Sequence, residues 1–148
     1  MRRRAIEGLG YFGGEDVTAT IAQAYATGRQ PLKESALVAM GHSLDSRWLP
    51  IFEAELQSTE PALRYEAARA SGELGSEASS LLPRLLELAE ASDSQVAQAA
   101  IWALGQIGGP GAQRTLQRLV ESDDAAVQQA AEEALAELQL DAGSFGVL

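Results

Sequence analysis

The sequence predicts an all-α fold, a right-handed α-solenoid of nine helices set in antiparallel pairs, about four and a half repeats in all. Three observations carry this. The chain repeats itself: Ala5-Ile6-Glu7-Gly8-Leu9-Gly10 is echoed by Ala36-Leu37-Val38-Ala39-Met40-Gly41, Ala67-Ala68-Arg69-Ala70-Ser71-Gly72 and Ala100-Ile101-Trp102-Ala103-Leu104-Gly105. A fifth copy, ending at Ala136, has lost the glycine, and the anchors at 10, 41, 72, 105 and 136 are spaced 31, 31, 33 and 31 residues apart. A fixed period of this size marks stacked supersecondary units. Within each copy, small and apolar residues recur at helical spacing, and no segment shows the period-two alternation of a strand.

Each helix follows from its residues. Counting back from the anchor, position nine holds Met1, Leu32, Leu63, Val96 and Val127, and position five is always alanine: Ala5, Ala36, Ala67, Ala100, Ala131. Position two holds Gly8 or alanine. At about 100° per residue these positions share one helix face. Small side chains at two of them let a neighbouring helix approach closely. The intervening segments supply a second set of helices through Val17, Ile21 and Tyr25, then Trp48, Leu49, Ile51, Phe52 and Leu56. Leu82, Leu85, Leu86 and Leu88 follow, then Ala112, Leu116, Leu119 and Val120. Trp48 reads as core. Pro31 and Pro61 suit the first turn of a helix, where a missing N–H costs nothing, and Pro50 and Pro83 lie near helix starts. Gly10-Tyr11-Phe12-Gly13-Gly14 and Gly105-Gln106-Ile107-Gly108-Gly109 are read as helix stops, since neither has the strand or the Gly-Lys-Ser/Thr sequel of a phosphate loop. Asp123-Asp124 and Glu15-Asp16 are expected to cap helix N-termini.

Four positions before the anchor, Ile6, Leu37, Ala68 and Ile101 give way to Glu132. An apolar column that turns acidic suits a terminal repeat. The expected organisation is a solenoid over residues 1–140 and a flexible tail over 141–148.

Composition narrows the function. A formal net charge of -10 disfavours nucleic acid and anionic membrane as partners. Without cysteine there is no disulfide, thiolate metal site or cysteine nucleophile. No apolar run reaches the roughly 18 residues of a membrane span, and no signal-peptide core follows Arg2, Arg3 and Arg4, so a cytoplasmic location is expected. His42 is the single histidine, read as exposed at a helix end. One imidazole supports neither a multi-histidine metal site nor a catalytic triad without its elbow motif. No catalytic residue, cofactor or metal is assigned.

Asp93-Ser94-Gln95-Val96, then Ala99-Ala100 and Ala103-Leu104-Gly105-Gln106-Ile107-Gly108, resembles the short HEAT-like repeat of phycobilin lyases and many bacterial scaffold proteins. In that pattern an arginine follows the valine. Arg64 and Arg2 match it and Lys33 substitutes, while Ala97 and Gln128 depart, so a continuous Asp–Arg ladder is not expected. The resemblance implies that the repeat-bearing helix lines a concave groove. Seven and three positions before the anchor, opposite the core stripe, stand Glu34 and Val38, Tyr65 and Arg69, Gln98 and Trp102. Aromatic residues and arginine are enriched at binding hot spots.

The expected function is therefore a non-enzymatic scaffold holding a protein or peptide through Val38, Tyr65, Arg69, Trp102, Gln98 and Glu34. The surrounding acidic residues suit a partner with basic flanks. A phycobilin-lyase-like enzyme subunit and a self-assembling repeat protein, such as a homodimer, are the alternatives.

Overall fold

A computed structural model describes the backbone of residues 2–146 and the side chains of residues 3–141. Among the described residues there are nine α-helices and no strand. They are α1 (Arg2–Leu9), α2 (Glu15–Thr27), α3 (Gln30–Ser43), α4 (Leu49–Glu55), α5 (Pro61–Glu73), α6 (Leu82–Leu88), α7 (Ser94–Ile107), α8 (Pro110–Leu119) and α9 (Ala125–Gly146). Two 3-10 segments, Ser46–Trp48 and Gly75–Leu81, lead into α4 and α6. Each even helix packs on the odd helix that follows it, and the odd helices pack in series: α1 on α3, α3 on α5, α5 on α7, α7 on α9. The product is the expected two-layer α-solenoid.

The odd layer is held together by absence of side-chain bulk. A methyl built on Gly41 would sit 3.0 Å from the Cα and Cβ of Ala70, and one on Gly105 only 2.8 Å from Ala134 Cβ. Gly10 abuts the carbonyl of Ala39 in the same way, and Gly72 meets Ala103 and Trp102. The glycine of each copy thus receives the alanine two positions before the anchor of the next. This corrects the reading of Gly105 as a helix stop: Gly41, Gly72 and Gly105 all lie inside their helices. The real stop of α7 is Gly108, which with Gly109 adopts φ of 76° and 95°, a region that glycine enters without strain.

The alanine column behaves as read in four copies. Ala36, Ala67, Ala100 and Ala131 are fully buried, but Ala5 is exposed, because no described helix covers that side of α1. Ile6, Leu37, Ala68 and Ile101 are buried and Glu132 is exposed. Even helices contribute Ile21, Phe52, Leu85 and Leu116 to the core, and Trp48 joins them at 5% exposure.

Contact is thinner between even helices, where polar ties at about one-repeat separation join neighbours. Tyr25 Oη donates to Glu55 Oε1 at 2.7 Å, Arg84 pairs with Glu53 at 3.2 Å and Arg118 with Glu90 at 2.6 Å. Burial, then the Glu55 carboxylate, pushes the Tyr25 phenol up.

Asp124 accepts the expected cap bond, from Ala126 N at 2.9 Å, and Asp93 caps α7 in the same way, accepting from Val96 N at 3.0 Å. Glu15 and Asp16 instead occupy the first turn of α2 and make no cap hydrogen bond. There they complement the helix dipole. α9 runs from Ala125 to Gly146, across residue 141. Met1, Val147 and Leu148 lie outside the described residues, as does the side chain of Phe145. No described helix is long and apolar enough to cross a membrane.

Candidate functional site

The six expected surface residues fall on three consecutive odd helices: Glu34 and Val38 on α3, Tyr65 and Arg69 on α5, Gln98 and Trp102 on α7. All six are half-buried. They form one face because columns seven and three before the anchor are adjacent on a helix and the repeat places them in line across the layer.

At the centre, the Arg69 guanidinium carbon stands 3.9 Å from the centroid of the Trp102 ring. This cation–π contact bridges α5 and α7. The edge of the same indole lies against Gly72 of α5, where a methyl would come within 2.8 Å of Trp102 Cε3. Trp102 is therefore wedged into the repeat junction and also packs on the core. The expectation that it points away from packing is corrected: its truncation removes both a surface and a structural contact.

Four open hollows follow the face, the smallest, about 210 Å³, lined by Val38, His42, Tyr65, Glu66, Arg69, Ala70 and Glu73. Of the larger three, one of about 320 Å³ is lined by Glu34, Tyr65, Glu66, Asp93 and Gln95 among others. A second, about 340 Å³, is lined by Tyr65, Arg69, Gln95, Gln98 and Ala99. The third, about 530 Å³, runs from Gln98 and Trp102 to Ala130, Glu133, Glu137 and Leu140 on α9. Gln98 is steadied by a 2.9 Å hydrogen bond from its amide nitrogen to Ser94 Oγ.

Glu66 belongs to this surface and was not among the six. Burial, reinforced by Glu34 and Glu7 and opposed by Arg69 and Arg3, raises its carboxyl from 4.5 to about 7. Six positions before the anchor the other copies carry Arg4, Ser35, Ala99 and Ala130. A carboxylate where three of the other four copies carry a small residue was the legible signal. Because its folded pKa is raised, folded chain holds more protons here than unfolded chain between about pH 4.5 and 7, so stability falls as pH rises through that window. Glu66→Gln is expected to gain stability over wild type at pH 8 and to match it near pH 5. Melting temperatures of both proteins at the two pH values check this. An equal difference at both would place an ordinary, solvated carboxylate at this position.

His42 is not simply exposed, as expected of it. Its ring stacks on Tyr11 with centroids 4.4 Å apart, Nδ1 lies 3.3 Å from the Glu7 carbonyl oxygen, and Nε2 lies 4.0 Å from Glu73 Oε1. It links α1, α3 and α5 through packing. No group of His, Cys, Asp or Glu among the described residues is arranged to hold a metal ion.

The fold and its repeats are shared with known proteins. The chain is similar in structure to the complex of CpcE and CpcF of phycocyanin lyase from Nostoc sp. PCC7120, at 19% identity and a TM-score of 0.73, covering 90% of this chain and 86% of that one. An engineered protein matches at 21% identity and a TM-score of 0.65, over 93% of this chain and 71% of its own. A designed armadillo repeat protein in complex with the peptide (KR)4 matches at 15% identity and a TM-score of 0.67, over 90% and 72%. No curated protein sequence matches. The sequence model describing HEAT repeats matches residues 49–136, more than half of the chain and the very helices that carry Tyr65, Arg69 and Trp102; the chain belongs to the HEAT-repeat family.

Proposed function

We propose that this chain is a non-enzymatic interaction scaffold that holds a protein or peptide segment against the odd-helix face. The observation that carries the reading is the Arg69–Trp102 stack, with Tyr65 beside it, half-buried on an open surface. Stacked arginine and aromatic side chains lose little freedom on binding, which is why such groups dominate interface energetics. Closer packing in the odd layer than in the even one favours curvature toward this face. Glu7, Glu34, Glu66 and Asp93 suit basic residues in the partner's flanks, in keeping with the (KR)4 complex of the designed armadillo protein.

Arg69→Glu tests this reading. It forfeits a surface cation–π contact, so folding stability is expected to fall by only about 0.5–1 kcal/mol, while partner affinity falls by about 2 kcal/mol, close to thirtyfold. Affinity capture followed by titration of the captured protein measures the loss, with Lys33→Ala on the far side of α3 as control. Undiminished capture by Arg69→Glu would remove this face from consideration.

A lyase-type subunit is the second reading, favoured by the near end-to-end similarity to the CpcE–CpcF complex. A visible absorbance shift on mixing with a bilin would support it. A flat titration would dismiss it.

A further inference from the structure

The hollow between α5 and α7 differs from the rest of this acidic surface. Tyr65, Arg69, Gln95, Gln98 and Ala99 line it, and none is a carboxylate. Among the described residues the Arg69 guanidinium makes no hydrogen bond or ion pair; it stacks on the Trp102 ring and feels the Glu66 carboxyl only through longer-range charge, so its N–H donors stay unused. Among the described residues Tyr65 Oη and the Gln95 amide likewise have no hydrogen-bond partner. A guanidinium over an indole face keeps its N–H donors, which radiate in its own plane and match the two oxygens of a carboxylate. Three unused donor groups, one of them cationic, therefore open into a single cavity.

We propose that this hollow binds a carboxylate side chain, an Asp or Glu of the segment held by the scaffold. The inference rests on the interaction-scaffold reading and specifies what the segment must present at its centre. A single negative charge fits better than a doubly charged phosphate. The neighbouring hollow, which shares Tyr65 and Gln95, holds Glu34, Glu66 and Asp93, and these would repel further negative charge while attracting a base next to it. A side chain fits better than a chain terminus, because the face continues past the hollow on both sides, from Glu34 on α3 to Leu140 on α9. The segment so described is acidic at its centre and basic at its flanks.

The test uses the full chain, labelled with nitrogen-15, and three seven-residue peptides. The first is Ala-Lys-Ala-Glu-Ala-Lys-Ala with both ends capped. The second replaces its Glu with Gln, and the third is the Gln peptide with a free C-terminal carboxylate. The first is expected to shift the Arg69 Nε–H and Trp102 indole resonances saturably and to bind about tenfold or more tightly than the second, as for a hydrogen bond to a charged group. Arg69→Gln, confirmed folded by a cooperative thermal melt, is expected to erase that preference. Arg69→Lys keeps the charge without the fork and is expected to retain only part of it. Equal binding of the Glu and Gln peptides, or no saturable shift with any peptide, overturns the proposal. Tightest binding by the third peptide overturns the side-chain assignment in favour of a chain terminus. If the Glu and Gln peptides are equal but Arg69→Glu still loses its captured partner, this inference falls and the scaffold reading stands. If capture is also unimpaired, both fall.

Discussion

Ala100→Leu is expected to destabilise the protein by about 1–3 kcal/mol or more. Ala100 is fully buried, and α7, which carries it, packs on α5, α6, α8 and α9. On either side of it the glycine contacts leave no slack: Gly72 already meets Ala103, and Gly105 already meets Ala134. A leucine adds three carbons where helix axes have closed to the limit set by alanine and glycine. The backbone must separate, and because each repeat is covered only by its neighbours, nothing else can absorb the strain. Urea denaturation reads the effect as a lower midpoint at an unchanged slope. Ala5→Leu is the matched control. It lies in the same sequence column but is exposed, so it should stay within about 0.5 kcal/mol of wild type. Equal effects from the two substitutions would mean that column membership, rather than burial, governs the response.

That contrast shows what the sequence could carry. Periodicity reports a column, and a column at helical spacing reports a face, so the helix count, the pairing and the buried alanines were legible from Ala36, Ala67, Ala100 and Ala131. Coverage by a neighbour is a tertiary fact. Nothing in the residues around Ala5 distinguishes it from its equivalents, yet it is exposed. Gly105 was legible as part of the repeat and misread as a helix stop. Glycine both ends helices and lets them touch, and only the position of the next repeat decides between the two. Gly108 does the first and Gly105 the second, three residues apart.

The candidate surface divides in the same way. Columns seven and three before the anchor placed Tyr65, Arg69 and Trp102 on one face, because helix geometry alone fixes that. The stacking of Arg69 on Trp102 joins different helices and depends on how α5 and α7 are offset, which a one-dimensional pattern does not hold. Glu66 was missed because the columns were treated as two lines. Glu66 lies one residue after the first of them, turned toward the packed side of the helix where its equivalents Ser35 and Ala99 are buried, and there a carboxylate stands out. His42 was misjudged because its partners, Tyr11 and Glu73, come from the repeats on either side.

Gly72→Ala is expected to cost about 1–2 kcal/mol, although alanine is the better helix former by about 1 kcal/mol. Overpacking, at about 1–3 kcal/mol, outweighs the gain because the added methyl meets two things at once. It would lie 3.0 Å from the Cα of Ala103, which is backbone, and closer still to the ring of Trp102, which is wedged. The ring is the part that can yield. As it tilts, it leaves the Arg69 guanidinium now standing 3.9 Å above it, so a methyl on the packed side of the indole disturbs the contact on its exposed side. A double-mutant cycle with Trp102→Leu separates the two obstacles. In the Trp102→Leu background most of the overpacking is relieved, and Gly72→Ala should become nearly neutral or stabilising as the helix-propensity gain emerges. If Gly72→Ala costs the same in both backgrounds, the clash is with the Ala103 backbone, and Trp102 is free to move without it. The cycle thereby also tests whether the centre of the proposed binding surface is held rigid by the repeat junction. A hot spot that binds without first being ordered needs that rigidity, and here it depends on one missing methyl group.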